Sequence, residues 1–170
     1  MRLLISHDEI VEICRKIGYQ ITKDYKGKEP LVICVLKGAM PFHAELIKHI
    51  DLPIKIDFIQ ASSYGSGMET SGIVKIKKDL DISIEGKDII LVEDILDSGY
   101  TLSLLTKELS YRNPSSIKVV SMLDKPANRK VKFEADYVGK TIDNLFVVGF
   151  GLDLDEKFRN LKDIYVYNED

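Results

Sequence analysis

Apolar residues recur at Ile10, Ile13, Cys14, Ile17 and Ile21, the spacing of one buried helical face. Ser6, followed three residues later by Glu9, is a capping-box pattern that opens this helix. A polar stretch with Gly27 and Pro30 follows, then LVICVL at 31–36, a β-branched run that reads as a buried strand. Pro41 suits the first turn of a helix ending near Ile50. Ile54, Ile56 and Phe58 alternate with other residues as a strand does. Residues 61–72, ASSYGSGMETSG, hold three glycines and almost nothing apolar, which predicts a mobile loop. Residues 73–76 and 89–92 read as strands, the second of them buried and central. A helix is predicted over 101–112, and further strands over 117–123 and 146–148.

This strand–helix–strand alternation predicts an α/β fold with an open, mostly parallel sheet flanked by helices. Its 170 residues fit one domain, and 45% hydrophobic with 30% charged residues is the balance of a globular chain with a core. A net charge of −3 disfavours a sequence-independent nucleic-acid binder, which needs excess Lys and Arg. The longest apolar run, 31–36, falls far short of the ~20 residues that span a bilayer. An acid at Asp8 comes too early for a signal peptide, so the expectation is a cytoplasmic protein with no membrane or nucleic-acid partner. Cys14 and Cys34 each sit within an apolar pattern and read as buried thiols.

Open parallel sheets place ligands beyond the carboxyl ends of their strands. The segment VEDILDSGYTL, 92–102, has that form. An apolar strand hands over to Glu93 and Asp94, and then to a turn of Asp97, Ser98, Gly99, Tyr100 and Thr101 that leads into a helix. Backbone N–H groups in such a turn, with the helix dipole, make an anion cradle. The hydroxyls of Ser98 and Thr101 add donors, and Gly99 lets the backbone approach closely. Acids beside an anion cradle make sense for a ligand with both phosphate and sugar, because carboxylates accept from ribose hydroxyls and hold Mg²⁺.

This segment resembles the phosphoribosyl diphosphate (PRPP) motif of the type I phosphoribosyltransferases. The resemblance implies that Glu93 and Asp94 contact the ribose hydroxyls, that residues 97–101 take the 5′-phosphate, and that Asp97 is the catalytic group near the base. Further stretches are similar to the 6-oxopurine branch, the hypoxanthine-guanine phosphoribosyltransferases. Leu36-Lys37-Gly38 matches its diphosphate loop, whose Leu–Lys peptide can be cis. Ser63 and Tyr64 match its active-site lid, which excludes water from an oxocarbenium-like ribose. Lys125, Phe146 and Val147 match its purine hood: Phe146 stacking, the Val147 backbone reading the base edge, Lys125 donating to the 6-oxo group. Asp153 joins Glu93 and Asp94 as a metal ligand, and Arg159 contacts diphosphate. On periodicity alone Phe146 is a core residue and Arg159 a surface cation. Tyr100 stands at a variable place of the phosphate loop, and Phe150 and Leu154 stand where tyrosines are frequent.

The implied protein is one domain over 1–170. A small hood subdomain is built mainly from about 124–170, with a contribution from the N-terminus. Its implied activity is Mg²⁺-dependent transfer of 5-phosphoribose from PRPP to hypoxanthine or guanine, in a homodimer or homotetramer. The rival readings are a xanthine- or pyrimidine-directed relative and a PRPP-sensing regulator without turnover; a plain nucleotide-binding module is the blandest. Lys125 and the Phe146-Val147 hood count against a pyrimidine, while Asp97, Lys37 and the lid count against a regulator. No GxxxxGK[ST], GxGxxG, CxxC or HExxH pattern is present. His7, His43 and His49 are scattered and read as structural or exposed.

Overall fold

The computed structural model describes residues 1–63 and 73–168. The chain opens with β1 (Arg2–Ile5) and α1 (His7–Asp24). The capping box is formed: Glu9 N–H donates to Ser6 Oγ at 3.3 Å, and Ser6 N–H donates to Glu9 Oε2 at 2.9 Å. Ile10, Cys14, Ile17 and Ile21 make the buried face of α1. β2 (Leu31–Val35) is buried at every residue. Next come α2 (Met40–Leu46), with Pro41 in its first turn, and a 3₁₀ turn at Ile47–His49. β3 (Lys55–Ser63), β4 (Val74–Lys78), β5 (Asp88–Leu96), α3 (Tyr100–Ser110) and β6 (Ser116–Asp124) follow. A 3₁₀ turn at Pro126–Asn128 precedes β7 (Tyr137–Thr141), β8 (Val147–Val148) and β9 (Ile164–Val166).

Six strands form one sheet in the order β4-β3-β2-β5-β6-β7, parallel throughout except for β4 at the edge. Successive side chains of β2 take opposite faces. Val32 packs with α1 and α2, while Leu31, Ile33 and Val35 pack with Leu102, Leu105 and Leu109 of α3. Helices on both faces explain why the central strands read as continuous apolar runs. β1, β9 and β8 make a second, antiparallel sheet in that order. Its Ile5, Val147, Ile164 and Val166 share a core with α1, so the small sheet is packed onto the α1 side of the large one.

Several boundaries differ from the sequence expectation. β3 runs through Ser63, into the predicted loop, because β4 pairs with it at Ser62↔Lys75 and Ser63↔Val74. β5 continues through both acids to Leu96, paired with β6 as far as Leu96↔Asp124. The helix after Pro41 leaves α geometry at Leu46 and tightens into the 3₁₀ turn. β1, β7 and β9 carry no pattern that marks them in the sequence. His43 is buried with Nε2 3.1 Å from the Val32 carbonyl, and His49 Nε2 is 3.0 Å from Glu45 Oε1. Both cysteines are free and buried. No helix among the described residues is long and apolar enough to cross a membrane.

Candidate active site

β2 runs beside β5 only as far as Cys34↔Val92. Beyond that point β5 is bordered by β6 alone, and the released edge carries Glu93 and Asp94. The turn after β2 fills the space beside them. A Cβ added to Gly38 would lie 1.8 Å from Asp94 Oδ2, so a side chain here would push the Asp94 carboxylate out of place. A Cβ on Gly151, whose φ is +97°, would in turn lie 1.8 Å from the Gly38 carbonyl oxygen. Three segments far apart in sequence thus meet with no room for a side chain. The Leu36–Lys37 peptide bond is cis.

Glu93 and Asp94 are half-buried. Asp94 N–H donates to Glu93 Oε1 at 3.0 Å, and Ile95 N–H donates to Asp94 Oδ1 at 2.7 Å. Burial and the adjacent Asp94 carboxylate push Glu93 well above the usual carboxylate range. Burial raises Asp94 as well, against the opposing pull of hydrogen bonds and the Arg159 charge. A pair of acids held up in this way is suited to hydroxyl donors or to a cation.

The turn that follows makes the cradle. Gly99, at φ +86°, directly precedes α3. Tyr100, half-buried, opens that helix, and its N–H donates to Ser98 Oγ at 3.4 Å. Ser63 Oγ and Thr101 Oγ1 lie 3.2 Å apart, tying the end of β3 to the turn. Residues 93–99, with Thr101 and Leu102, line a cleft of about 180 Å³. The N–H groups of the first turn of α3 face this turn, the arrangement that binds anions. Tyr64 lies outside the described residues.

Asp97 is tied to the segment after β6. Its carboxylate accepts from Asn128 Nδ2 and lies 3.4 Å from Lys125 Nζ. Lys125 is only 7% exposed. Arg129 donates through Nε to the Asp97 carbonyl at 3.0 Å and through Nη1 to the Phe133 carbonyl at 2.6 Å; its Nη2 pairs with the Asp124 carboxylate. Neither Asn128 nor Arg129 stands out in the sequence. The available signal is topological, since β5 and β6 are parallel neighbours and the segments following them must converge.

Lys37 and Arg159 meet through acids. Arg159 Nη1 donates to the Gly151 carbonyl at 2.7 Å, and Nη2 lies 3.0 Å from both Asp153 Oδ1 and Glu156 Oε1. Lys37 Nζ is 2.8 Å from Glu156 Oε2. Asp153 Oδ2 also accepts from Glu156 N–H at 2.9 Å. The expected metal set of Glu93, Asp94 and Asp153 is therefore not gathered as one group, because Asp153 is turned to Arg159 and the Glu156 backbone. Among the described residues, no three acidic, His or Cys side chains are arranged to hold a metal.

Phe146 lies just ahead of β8, 51% exposed, with its ring 6.1 Å from that of Tyr167. It is not the core residue its periodicity suggests, because only Val147 and Val148 enter the strand. Val147 is buried and pairs with Val166. Arg159 is likewise more than a surface cation, being half-buried behind Asp153 and Gly151.

The chain is 53% identical over 169 residues to the hypoxanthine-guanine phosphoribosyltransferase of Streptococcus thermophilus, covering 99% of this chain and 94% of that protein. Among solved structures it superimposes on a hypoxanthine phosphoribosyltransferase from Staphylococcus aureus with a TM-score of 0.95 at 46% identity, covering 99% of this chain and 91% of the other. A hypoxanthine-guanine phosphoribosyltransferase from Bacillus anthracis gives a TM-score of 0.94 at 46% identity, covering 99% of both chains. Residues 4–155 match the phosphoribosyl transferase domain. With an acid pair and the turn that opens α3 sharing the end of one central strand, and with these likenesses over nearly its whole length, the chain belongs to the phosphoribosyl transferase domain family.

Proposed function

We propose that this chain is a purine-salvage enzyme that transfers 5-phosphoribose from PRPP to N9 of hypoxanthine or guanine, releasing diphosphate. The observation that carries this reading is the joining of sugar and phosphate recognition at the end of β5. Glu93 and Asp94 face the same cleft as the 97–101 turn, and Gly38 of the diphosphate loop is packed on Asp94.

In this reading the turn holds the 5′-phosphate, and Glu93 and Asp94 accept from the ribose hydroxyls. Their charge also steadies the oxocarbenium-like ribose that forms as diphosphate departs. Lys37 and Arg159 take the diphosphate. Asp97, in reach of Lys125 and Asn128, holds the N7 proton of the base. Phe146, exposed ahead of β8, offers a face for stacking, the Val147 backbone reads the base edge, and Lys125 donates to the 6-oxo group. Ser63 and Tyr64 belong to a lid that keeps water from C1.

The acids fit Mg²⁺, which binds through one or two carboxylates together with substrate phosphates and water. Glu93 and Asp94 would hold one ion, and Asp153, on a separate loop, another. Bound Mg²⁺ neutralises charge on diphosphate and makes it a better leaving group. The reading includes a cytoplasmic homodimer or homotetramer, which sedimentation would test.

The deciding experiment is an ultraviolet assay with PRPP, Mg²⁺ and each of hypoxanthine, guanine, xanthine, adenine and uracil. Turnover with hypoxanthine or guanine is expected. No turnover with any base would sink the enzyme reading, and turnover with xanthine alone would replace the substrate.

A further inference from the structure

Lys37 and Arg159 lie on different loops, and one carboxylate holds both. Glu156 Oε2 is 2.8 Å from Lys37 Nζ, and Glu156 Oε1 is 3.0 Å from Arg159 Nη2. The spacing is that of a bridging anion, the part assigned above to diphosphate.

The backbone that presents Glu156 is unusual. Leu154 and Lys157 exchange N–H···O bonds at 3.2 and 3.0 Å, closing a two-residue hairpin turn. Both central residues have positive φ, Asp155 at +50° and Glu156 at +63°. Turns of this kind favour glycine at the second place. Here the second place keeps a Cβ and a carboxylate, and an outlier of this sort points to a use.

Glu156 is not required to aim Arg159. The Gly151 carbonyl and the Asp153 carboxylate also hold that guanidinium. Yet Arg159 Nε is buried with no partner among the described residues, so the present pose leaves a donor unused. Lys37 is more than half exposed, and its ammonium is engaged by Glu156.

We propose that Glu156 is an internal anion that competes with diphosphate for Lys37 and Arg159. Diphosphate displaces the carboxylate when it binds, and the carboxylate reclaims both cations as diphosphate leaves. Affinity is given up in exchange for rapid departure of the product, a step that limits many enzymes. The proposal rests on the assignment of these two cations to diphosphate.

The test uses inorganic diphosphate with Mg²⁺ as the probe, titrated calorimetrically into wild type, E156Q and E156G, with the forward assay run alongside. E156Q keeps the shape and removes the charge. E156G removes the side chain and suits the positive φ, so it guards against a misfolded variant. Both variants should bind diphosphate on the order of three- to tenfold more tightly, the scale of exposed ion pairs, and release it more slowly by a similar factor. Weaker or unchanged binding in both variants, with wild type turning over normally, overturns this inference alone and makes Glu156 a support for Arg159. If wild type binds neither PRPP nor diphosphate, the functional reading falls and this inference falls with it.

Discussion

The buried ammonium of Lys125 lies 3.4 Å from a carboxylate oxygen of the more open Asp97. The residue proposed to read the 6-oxo group is thus ion-paired to the residue proposed to hold the N7 proton. In that proposal base recognition and proton handling form one electrostatic unit, and changes to the two should not add.

Asp97→Asn keeps the shape and the contact with Asn128 but removes the proton acceptor. A positioned acid or base contributes ~10²–10⁴-fold. The expected result is a fall of that order in kcat with little change in KM for PRPP, measured in the forward assay. A variant that keeps most of its kcat would take the proton away from Asp97.

Lys125→Met should raise KM for hypoxanthine and shrink the preference over adenine. An ammonium only donates, and adenine presents an amino donor at the same place. The wild-type preference should exceed ~10-fold, the scale of a buried donor left unmatched. The double variant with Asp97→Asn should lose less than the product of the single losses. Phe146→Ala should weaken both purines alike. An unchanged preference in Lys125→Met would remove Lys125 as the reader.

Glu93→Gln should separate stability from function. Burial and the Asp94 carboxylate disfavour the charged form of Glu93, so neutralising it relieves the free protein. Melting should shift upward by ~2–4 °C for each kcal/mol relieved in a domain of this size. KM for PRPP should rise, because a ribose acceptor is lost. Lower thermal stability in this variant would contradict the repulsion.

Gly38→Ala places a methyl group 1.8 Å from Asp94 Oδ2. Overpacking of this kind costs ~1–3 kcal/mol. Because the clash falls on a proposed substrate ligand, PRPP affinity should drop by more than melting does. Calorimetry against scanning fluorimetry checks this, and normal PRPP binding would show that the contact is dispensable.

Alkali should unfold the protein through its thiols. Burial pushes both Cys14 and Cys34 up to about 12 from a reference of 9.0. The native state then keeps protons that the unfolded state has released. Stability is therefore full below pH 9 and falls as pH rises from 9 towards 12, by ~1.4 kcal/mol per pH unit for each thiol. Urea titrations across that window measure the slope. Alkylation at pH 8 should be negligible without urea, and prompt modification of the native protein would place the thiols at the surface.

The sequence carries α1, β2 and the start of β5 plainly, because each buries a continuous apolar face. It also carries the 93–101 segment, where composition changes abruptly at a strand end. β1 and β9 are legible only in hindsight. They are short, and their partners lie at the far end of the chain, as in Arg2↔Val166. Glu156 and Arg129 escape for a related reason: each looks like a solvated charge until loops remote in sequence are brought beside it. Phe146 is misread by periodicity because two apolar neighbours extend the pattern past the true strand edge.

The Asp94–Gly38–Gly151 contact acts as a gauge. Asp94 meets Gly38 through its carboxylate, but Gly38 and Gly151 meet through main chain alone, so backbone thickness sets the spacing between the loop that carries Lys37 and the loop that anchors Arg159. Side chains can swing to meet a ligand that is slightly too long, but stacked main chain cannot. In the proposed reading that contact fixes the reach between the two cations that take diphosphate, and an insertion beside either glycine would move Lys37 and Arg159 apart.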